Sequence, residues 1–259
     1  MPSGTFSVAK AVELGRFTLA AYDLFAADDP PDFVPPASYQ LISKIYADDL
    51  TDNLPDFKVF GFVAQSGSDV VVAIRGTEGV LEWLMNAHFI PVSFPFLAAG
   101  RTEQGFTNFY STLRTGPDVA QPRVIDALRS LIAGGTVQTL RITGHSLGAA
   151  LATLLAIDVS GNDVFASPTV YTFASPRVGD KVFAGTYDNL VPDSWRVSNH
   201  NDIVPHLPPL LAGYVHVDAE FPINSDAGSK HTVPCWHALL TYLNTLDARV
   251  ALDASCEPI

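Results

Sequence analysis

The stretch RITGHSLGAALATLL, residues 141–155, decides the fold class of this 259-residue chain. It completes a strand-like run, TVQTLRITG, over residues 136–144 and then turns into an alanine- and leucine-rich run without Gly or Pro after Gly148, which is typical of a buried helix. A second strand-like run, TVYTFAS, occupies residues 169–175. Strand, helix and strand with short connections predict a right-handed βαβ crossover with parallel pairing, and therefore an α/β protein.

Further elements are predicted on both sides of this unit. Upstream, KVFGFVAQ and VVVAIRGT flank the turn signal SGSD and predict a two-stranded hairpin over residues 58–77. Downstream, SWRVSN predicts a strand over 194–199, and the apolar run WHALLTYLNTL predicts a last helix over 236–246. Apolar residues at helical spacing predict a first helix over 8–22, and four prolines within 28–37 predict a rigid surface loop after it.

Ser146 is the candidate nucleophile. It lies in G-H-S-L-G, a match to G-x-S-x-G, between a predicted strand and a predicted helix, where a nucleophile elbow needs it. Gly144 and Gly148 would let neighbouring backbone pass without a Cβ clash, and the helix N-terminus would favour negative charge developing beside the hydroxyl. The alternative is a serine that only caps the helix.

A serine nucleophile needs a histidine base oriented by a carboxylate, and in this fold the chain order is Ser, Asp or Glu, then His. His237 is favoured as the base because it lies where a loop meets the last predicted helix, and His231 is its competitor. His216, in GYVHVDAEF, is more typical of a histidine that packs within a strand. The histidines that follow Ser146 are His200, His206, His216, His231 and His237.

Asp202 is the candidate carboxylate because it lies a few residues after the strand predicted over 194–199. Asp193 precedes that strand, which puts it at the wrong end, and Asp218 and Glu220 belong to another extended segment. Taken alone, Asp202 is also compatible with an ordinary loop aspartate in an Asx-turn.

Composition excludes several classes of protein. The chain has 15 Lys and Arg against 27 Asp and Glu, a net charge of −12 and no basic run, which excludes nucleic-acid binding. Only 16% of residues are charged, compared with about 25% in an average globular protein. One compact domain over residues 1–259 is expected, with no transmembrane anchor, since no run of 18 apolar residues occurs. Charges at Lys10, Glu13 and Arg16 interrupt any signal-peptide core.

The two cysteines, Cys235 and Cys256, exclude a disulfide scaffold and a four-cysteine zinc site. They either form one bridge, which would tie the C-terminal tail near His237, or remain two buried thiols. No metal site is expected.

Several ordered motifs resemble one known family: IRGT (74–77), TGHSLGAALA (143–152), TFASPRVGD (172–180), NDIVPHLPP (201–209) and CWHALL (235–240). Together they are similar to the fungal-type lipases, lipase class 3, of the α/β-hydrolases, over residues from about 59 to 243. The resemblance implies a mostly parallel central sheet with helices on both faces and a short helical lid. It also implies that Ser146 is the nucleophile, Asp202 the orienting acid and His237 the base. Thr77 and the amide of Leu147 would form the oxyanion hole.

The segment after Thr77 resembles the lid of these lipases and is expected over residues 78–97. Its apolar composition is also compatible with a buried core helix. The residues assigned to the lid and to acyl-chain binding are Val80, Leu81, Trp83, Leu84, Met85, Phe94 and Phe96. The family commonly has a histidine before a GF pair after the lid, whereas this chain has TEQGF with Glu103 and Gln104, which puts in doubt how the nucleophile region is supported.

The expected function is that of a serine carboxylester hydrolase, a triacylglycerol lipase or lipase-like esterase that acts through an acyl-enzyme at a lipid–water interface, without a cofactor. A monomer is the default. A feruloyl esterase shares the fold and triad but has a polar lid, and a non-catalytic lipid-binding protein would have no reason to retain Ser, Asp and His in workable order. The family resemblance implies secretion although no signal peptide is present in this sequence, so the compartment is left open.

Overall fold

A computed structural model of the protein describes residues 4–48, 55–77, 79, 89–217 and 219–258. Short 3-10 turns occur at Val204–His206, Leu210–Ala212 and Ala254–Cys256. In chain order the other elements are α1 (Val8–Ala26), β1 (Gln40–Asp48), β2 (Phe57–Ser66), β3 (Asp69–Ile74), β4 (Pro91–Ser93), β5 (Arg101–Glu103), α2 (Gln104–Thr112), α3 (Val124–Ala133), β6 (Thr139–His145), α4 (Leu147–Gly161), β7 (Thr169–Phe173), β8 (Gly179–Asp180), α5 (Lys181–Leu190), β9 (Ser194–Asn199), β10 (Tyr214–Val215), β11 (Glu220–Ile223), α6 (Val233–His237) and α7 (Leu239–Leu246).

The central sheet, as far as the structure describes the chain, has seven strands in the order β1-β2-β3-β6-β7-β9-β11. β1, β2 and β3 pair antiparallel, and every pairing from β3 to β11 is parallel. The expected βαβ unit is present, since β6 and β7 pair in parallel around α4. The predictions of an α/β class and of a mostly parallel sheet are confirmed.

Helices cover both faces of this sheet, as expected. In β3, Val70 and Val72 belong to the apolar cluster that includes α4, whereas Val71 and Ala73 belong to the cluster that includes α1 and α7. This alternation follows from the two-residue period of a strand, and both sets are apolar because both faces are covered. α4 itself is buried from Leu147 to Ser160, which is the pattern of a helix enclosed by protein on all sides.

A small antiparallel sheet, β10-β8-β5-β4 among the described residues, was not expected from the sequence. Its strands are two or three residues long, which is too short to show a two-residue hydrophobic period. The edge strand β11 begins at Glu220, in the segment expected to be extended. Pro222 lies within it, which is compatible with its position at the edge of the sheet.

The C-terminal helical region differs from the prediction. The single helix expected over residues 236–246 is divided into α6, which ends at His237, and α7, which begins at Leu239. Ala238 between them is extended, with φ −58° and ψ 130°. The physical reason is that the Thr241 amide donates to the Ala238 carbonyl at 2.9 Å, and the carbonyl of His237 is hydrogen-bonded to His145 instead of serving a helical turn.

Cys235 and Cys256 form a disulfide, which decides between the two alternatives left open by the sequence. The bond joins α6 to the C-terminal 3-10 turn across a separation of 21 residues, and both side chains are buried. No helix in the described part of the chain has both the length and the hydropathy to cross a membrane.

Replacing both cysteines with alanine should lower the free energy of unfolding by about 3 kcal/mol, because a loop of this length loses its constraint in the unfolded state. Urea denaturation of the two proteins measures the difference. As a control, dithiothreitol should destabilise the wild type and leave the double alanine variant unchanged. Equal unfolding midpoints for wild type and variant would contradict a stabilising bridge.

Candidate active site

Ser146 lies at the sharp turn between β6 and α4. Its φ of 59° and ψ of −124° are unfavourable for a residue with a side chain, and the turn is held by the Ser146 amide donating to the Phe173 carbonyl at 3.0 Å. The Ser146 side chain makes no capping hydrogen bond to the helix, so the alternative of a serine that only caps α4 is wrong. Its Oγ lies instead 2.8 Å from Nε2 of His237.

Two glycines allow the close packing at this turn, as the sequence indicated. A Cβ on Gly144 would lie 2.2 Å from the carbonyl oxygen of Gly148. A Cβ on Gly148 would lie 2.3 Å from the carbonyl oxygen of Ile74 and 2.4 Å from that of Arg75. No side chain fits at these distances. The first turn of α4 therefore lies directly against the end of β3, and Leu147 comes next to the segment that carries Thr77.

His237, the last residue of α6, is the histidine that the structure brings to Ser146. Its Nδ1 lies 2.8 Å from Oδ2 of Asp202, and its side chain is almost fully buried. The competitor, His231, is exposed, and its Nε2 lies 2.9 Å from the carbonyl oxygen of Asp226. His231 therefore lies outside the hydrogen-bonded group at Ser146.

Asp202, fully buried, accepts three hydrogen bonds. Oδ2 accepts from His237 at 2.8 Å and from the hydroxyl of Tyr242 at 2.7 Å, while Oδ1 accepts from the Val204 amide at 2.9 Å. The last of these bonds reaches two residues along the chain, as in an Asx-turn. Asp202 thus forms the local turn through Oδ1 and bonds to His237 through Oδ2.

The other acidic candidates lie elsewhere. Asp193 accepts from the hydroxyl of Thr169 at 2.7 Å, at the opposite end of the parallel strands. Glu220 accepts from the hydroxyl of Ser198. Asp218 lies outside the described residues.

Two residues that hold the triad in place were not identified from the sequence. Tyr242, in α7, donates to Asp202, and burial together with the charge of Asp202 raises its pKa well above the ordinary value, so it remains a donor. Asn199, at the end of β9, donates to the carbonyl of Trp236 at 2.9 Å and so holds α6. A tyrosine within an apolar helix is typical of a core residue, so no local signal distinguished it.

The segment 75–77 leads from β3 to the position expected for the oxyanion hole. Arg75 is 3% exposed, donates through Nη1 to the carbonyl of Gly76 at 2.6 Å, and lies with its guanidinium 3.6 Å from the centre of the Phe25 ring. These contacts fix the backbone just before Thr77. As the first residue of α4, Leu147 has an amide without an intrahelical acceptor, so this N–H is available to a ligand.

A sequence profile of the family described as lipase (class 3) matches residues 71–212, which is more than half of the chain and spans the β3 end, Ser146 and Asp202. The chain belongs to the class 3 lipase family. The fold prediction drawn from the ordered motifs agrees with this membership.

Individual relatives agree with the family. The chain is 37% identical over 168 residues to the secreted mono- and diacylglycerol lipase A of Penicillium cyclopium, covering 64% of this chain and 52% of the relative. It is 33% identical over 216 residues to phospholipase A1-II 7 of Oryza sativa subsp. indica, covering 71% of this chain and 52% of the relative. The chain thus spans about half the length of the curated relatives it matches. The crystal structure of a mono- and diacylglycerol lipase from Aspergillus oryzae superimposes with a TM-score of 0.66 at 25% identity, covering 85% of this chain and 81% of that one.

The lid residues expected for this class 3 lipase chain, Val80, Leu81, Trp83, Leu84 and Met85, lie outside the described residues. Phe94, also assigned to acyl binding, is 4% exposed and packs in the core, its ring 6.0 Å from that of Tyr110. Phe96 packs against both rings, with its ring centre 5.4 Å from that of Tyr110 and 5.5 Å from that of Phe94. Contact of these two phenylalanines with an acyl chain stays a prediction.

Two other histidines, His145, which is buried, and His216, which is half-buried, are neutral. Burial lowers the pKa of His216 to about 3, and its Nε2 donates to the carbonyl of Pro205 at 2.7 Å. Burial, and then the nearby His237, lower the pKa of His145 well below its ordinary value. Over the part of the chain that the structure describes, no three His, Cys, Asp or Glu side chains are grouped to hold a metal ion.

Glu103, where the lipase family commonly has a nearby histidine, has a structural role here. It is buried, forms the N-cap of α2, and accepts from the Phe106 amide at 2.9 Å. Burial raises its pKa, and hydrogen bonds from backbone amides partly offset that effect. The segment around Glu103 is therefore supported through a helix cap.

Glu103→Gln should stabilise the protein at pH 8 more than at pH 5. Because the pKa of Glu103 is higher in the folded state, its contribution to wild-type stability is largest below its unfolded pKa and is lost as the pH rises through the folded pKa. Glutamine can still accept at the cap and has no charge to bury. Melting temperatures of both proteins across this pH range measure the effect, and exposed Glu257→Gln is the control, expected to follow the wild type. A Glu103→Gln advantage that shrinks with rising pH would contradict the prediction.

Proposed function

We propose that the protein is a serine carboxylester hydrolase that cleaves fatty-acid esters through an acyl-enzyme. The observation that carries this proposal is the continuous hydrogen-bonded array from Ser146 Oγ through His237 to Asp202, with both links at 2.8 Å. The array is buried and begins at a strained turn above a helix N-terminus, which is the arrangement that activates a serine hydroxyl.

Acylation begins when Nε2 of His237 takes the proton of Ser146 as Oγ attacks the ester carbonyl carbon. The carbonyl oxygen becomes an oxyanion, and the Leu147 amide and Thr77 are proposed to donate hydrogen bonds to it. When the intermediate collapses, His237 gives the proton to the leaving alkoxide oxygen. The products of this half-reaction are the free alcohol and the ester of Ser146 with the fatty acid.

Deacylation repeats the same steps with water. His237 takes a proton from water as the water oxygen attacks the acyl-enzyme, and then returns the proton to Ser146 Oγ as the fatty acid leaves. Asp202 keeps the imidazole in the tautomer with hydrogen on Nδ1 and stabilises the imidazolium. Tyr242 and the Val204 amide hold Asp202 in place for both half-reactions.

The proposed substrates are acylglycerols at a lipid–water interface, with triacylglycerols first among them. Relatives of the chain are named as a mono- and diacylglycerol lipase and as a phospholipase A1, which supports esters of glycerol. The segment that follows Asp202, residues 203–211, also carries exposed apolar side chains: Ile203 is 43%, Leu210 63% and Leu211 102% exposed. Apolar groups in such a position suit contact with lipid. We retain no second function, because no observation favours an aromatic ester.

The proposal is tested by initial rates on p-nitrophenyl esters of increasing chain length, on methyl ferulate, and on emulsified tri-, di- and monoacylglycerols. We expect fatty esters to be hydrolysed and methyl ferulate to be a poor substrate. Faster turnover of methyl ferulate than of every fatty ester would assign the protein to the feruloyl esterases. Absence of hydrolysis with all of these esters would favour a non-catalytic protein.

Binding to the interface is tested with a Leu210→Ser/Leu211→Ser variant. It should lose most of its activity on emulsified triacylglycerol and retain its activity on a soluble short-chain ester, because only the emulsion offers a surface for the two leucines. Val119→Ser, which changes a side chain that is 61% exposed in the loop between α2 and α3, is the control. Equal losses on both substrates would contradict a role in interface binding.

A further inference from the structure

A chain of hydrogen bonds behind the triad connects the segment expected to hold the oxyanion to the base. The Gly76 amide donates to Oη of Tyr22 at 2.9 Å, and Oη lies 2.7 Å from Nδ1 of His145. Nε2 of His145 lies 2.8 Å from the carbonyl oxygen of His237. The two ends of this chain are the residue before Thr77 and the backbone of the base, while its centre is the residue before Ser146.

The direction of each hydrogen bond follows from chemistry. A carbonyl oxygen can only accept, so Nε2 of His145 carries hydrogen and Nδ1 of the neutral ring presents a lone pair. The Tyr22 hydroxyl must then donate to Nδ1, which leaves a lone pair on Oη for the Gly76 amide. One arrangement of hydrogens satisfies all three bonds, and it requires a neutral His145, in agreement with its buried position.

The division between α6 and α7 makes the last acceptor available. In a continuous helix the His237 carbonyl would accept from the Thr241 amide, but that amide donates to Ala238 at 2.9 Å. The His237 carbonyl therefore faces His145. Interruption of a helix at this residue costs a backbone hydrogen bond, which His145 replaces.

The other end of the chain is held from two sides. The Gly76 carbonyl accepts from Arg75 at 2.6 Å while the Gly76 amide donates to Tyr22. Tyr22 belongs to the last turns of α1, which packs against β2, β3, β6 and β7. The amide and the carbonyl of Gly76, the residue just before Thr77, are thus both hydrogen-bonded to buried or helical parts of the molecule.

We propose that Tyr22 and His145 are positioning residues that set the placement of the oxyanion-binding segment relative to His237. The rings of His145 and His237 lie 4.7 Å apart. Because a neutral His145 carries no positive charge, it does not repel the positive charge that develops on His237 during the reaction. This inference rests on the proposed function, since positioning matters only if Ser146 is acylated.

The kinetic test is Tyr22→Phe, which removes the hydroxyl that joins Gly76 to His145. We expect kcat to fall roughly 10- to 100-fold with KM nearly unchanged, because small displacements of reacting groups reduce rates by such factors. Tyr187→Phe is the control: it likewise removes a tyrosine hydroxyl that forms a hydrogen bond, here 2.9 Å from the hydroxyl of Ser194. It should lower the melting temperature to a similar extent and leave kcat unchanged. A Tyr22→Phe enzyme with wild-type kcat would overturn the inference, as would an equal loss of kcat in the control.

A second pair of variants separates positioning from packing. His145→Gln retains one acceptor and one donor and should keep most of kcat, whereas His145→Leu should lose at least as much as Tyr22→Phe. Equal kcat values in the two variants would contradict the inference. In addition, 15N NMR of the wild type at neutral pH should show His145 with hydrogen on Nε2 and none on Nδ1. A protonated Nδ1 at neutral pH would overturn the assigned direction of the bonds.

The two levels of proposal fail in different ways. A wild type without activity on any ester contradicts the proposed function. An active wild type whose kcat is insensitive to loss of the Tyr22 hydroxyl contradicts the positioning role alone.

Discussion

Ser146→Ala is expected to lower kcat for ester hydrolysis by about 10⁶-fold, since the loss of a triad nucleophile leaves only substrate binding and the oxyanion donors. The substitution removes one oxygen and should preserve the turn, which is held by the Ser146 amide and carbonyl. Initial rates on a p-nitrophenyl ester measure the effect. A fluorophosphonate should modify the wild type at Ser146 and leave the variant unlabelled.

The matched control for this substitution is Ser160→Ala. Ser160 lies in α4, the helix that follows Ser146, is 7% exposed, and has a hydroxyl without a hydrogen-bond partner among the described residues. Its removal should leave kcat unchanged. If Ser146→Ala hydrolysed the ester at the wild-type rate, the proposed acyl-enzyme mechanism would be wrong.

His237→Ala is expected to reduce kcat about as much as Ser146→Ala, by about 10⁶-fold, because a neutral serine hydroxyl without a base is a poor nucleophile. The two residues act as a unit, so the double variant should be no slower than either single variant. The same p-nitrophenyl ester assay measures all three rates. Additive losses would contradict the shared step of proton transfer.

His231→Ala is the matched control for the base. His231 is six positions earlier and exposed, and its ring bonds to the carbonyl of Asp226 instead of to Ser146 or Asp202. It should retain wild-type kcat. Loss of activity in His231→Ala together with full activity in His237→Ala would reverse the assignment of the base.

The nucleophile turn was predictable from the sequence because its signal is local. The strand, the turn and the helix are consecutive, and glycine at position 144 is required by the carbonyl of Gly148, four residues away. Glycine at position 148 is required instead by the carbonyls of Ile74 and Arg75, which are distant along the chain, although the motif itself marks the position. The strand bounds were also nearly correct for the hairpin, expected over 58–77 and observed as β2 and β3, because both strands carry β-branched runs. A hydrophobic pattern in the sequence thus predicts helices and strands when they are long and continuous.

Residues that support the site from a distance were not predictable in this way. Tyr22, Asn199 and Tyr242 each contribute one polar atom, and the positions they bond to are 123, 37 and 40 residues away. In the sequence a tyrosine on an apolar helix face is indistinguishable from any core tyrosine. Glu103 was noticed as a departure from the family, but its role as a buried helix cap depends on where α2 begins.

The sequence by itself determined that this is an α/β protein with a serine at a strand-to-helix turn and with acids and histidines in the right chain order after it. Only the tertiary structure brought His237, and not His231, to Ser146, because the two hydrogen bonds of the array span 91 and 35 residues. Those bonds require side-chain atoms carried at the ends of β6, β9 and α6 to lie within about 3 Å of one another. Such distances are set by how the helices pack on the sheet and by the break at Ala238. A local pattern carries no information about that convergence.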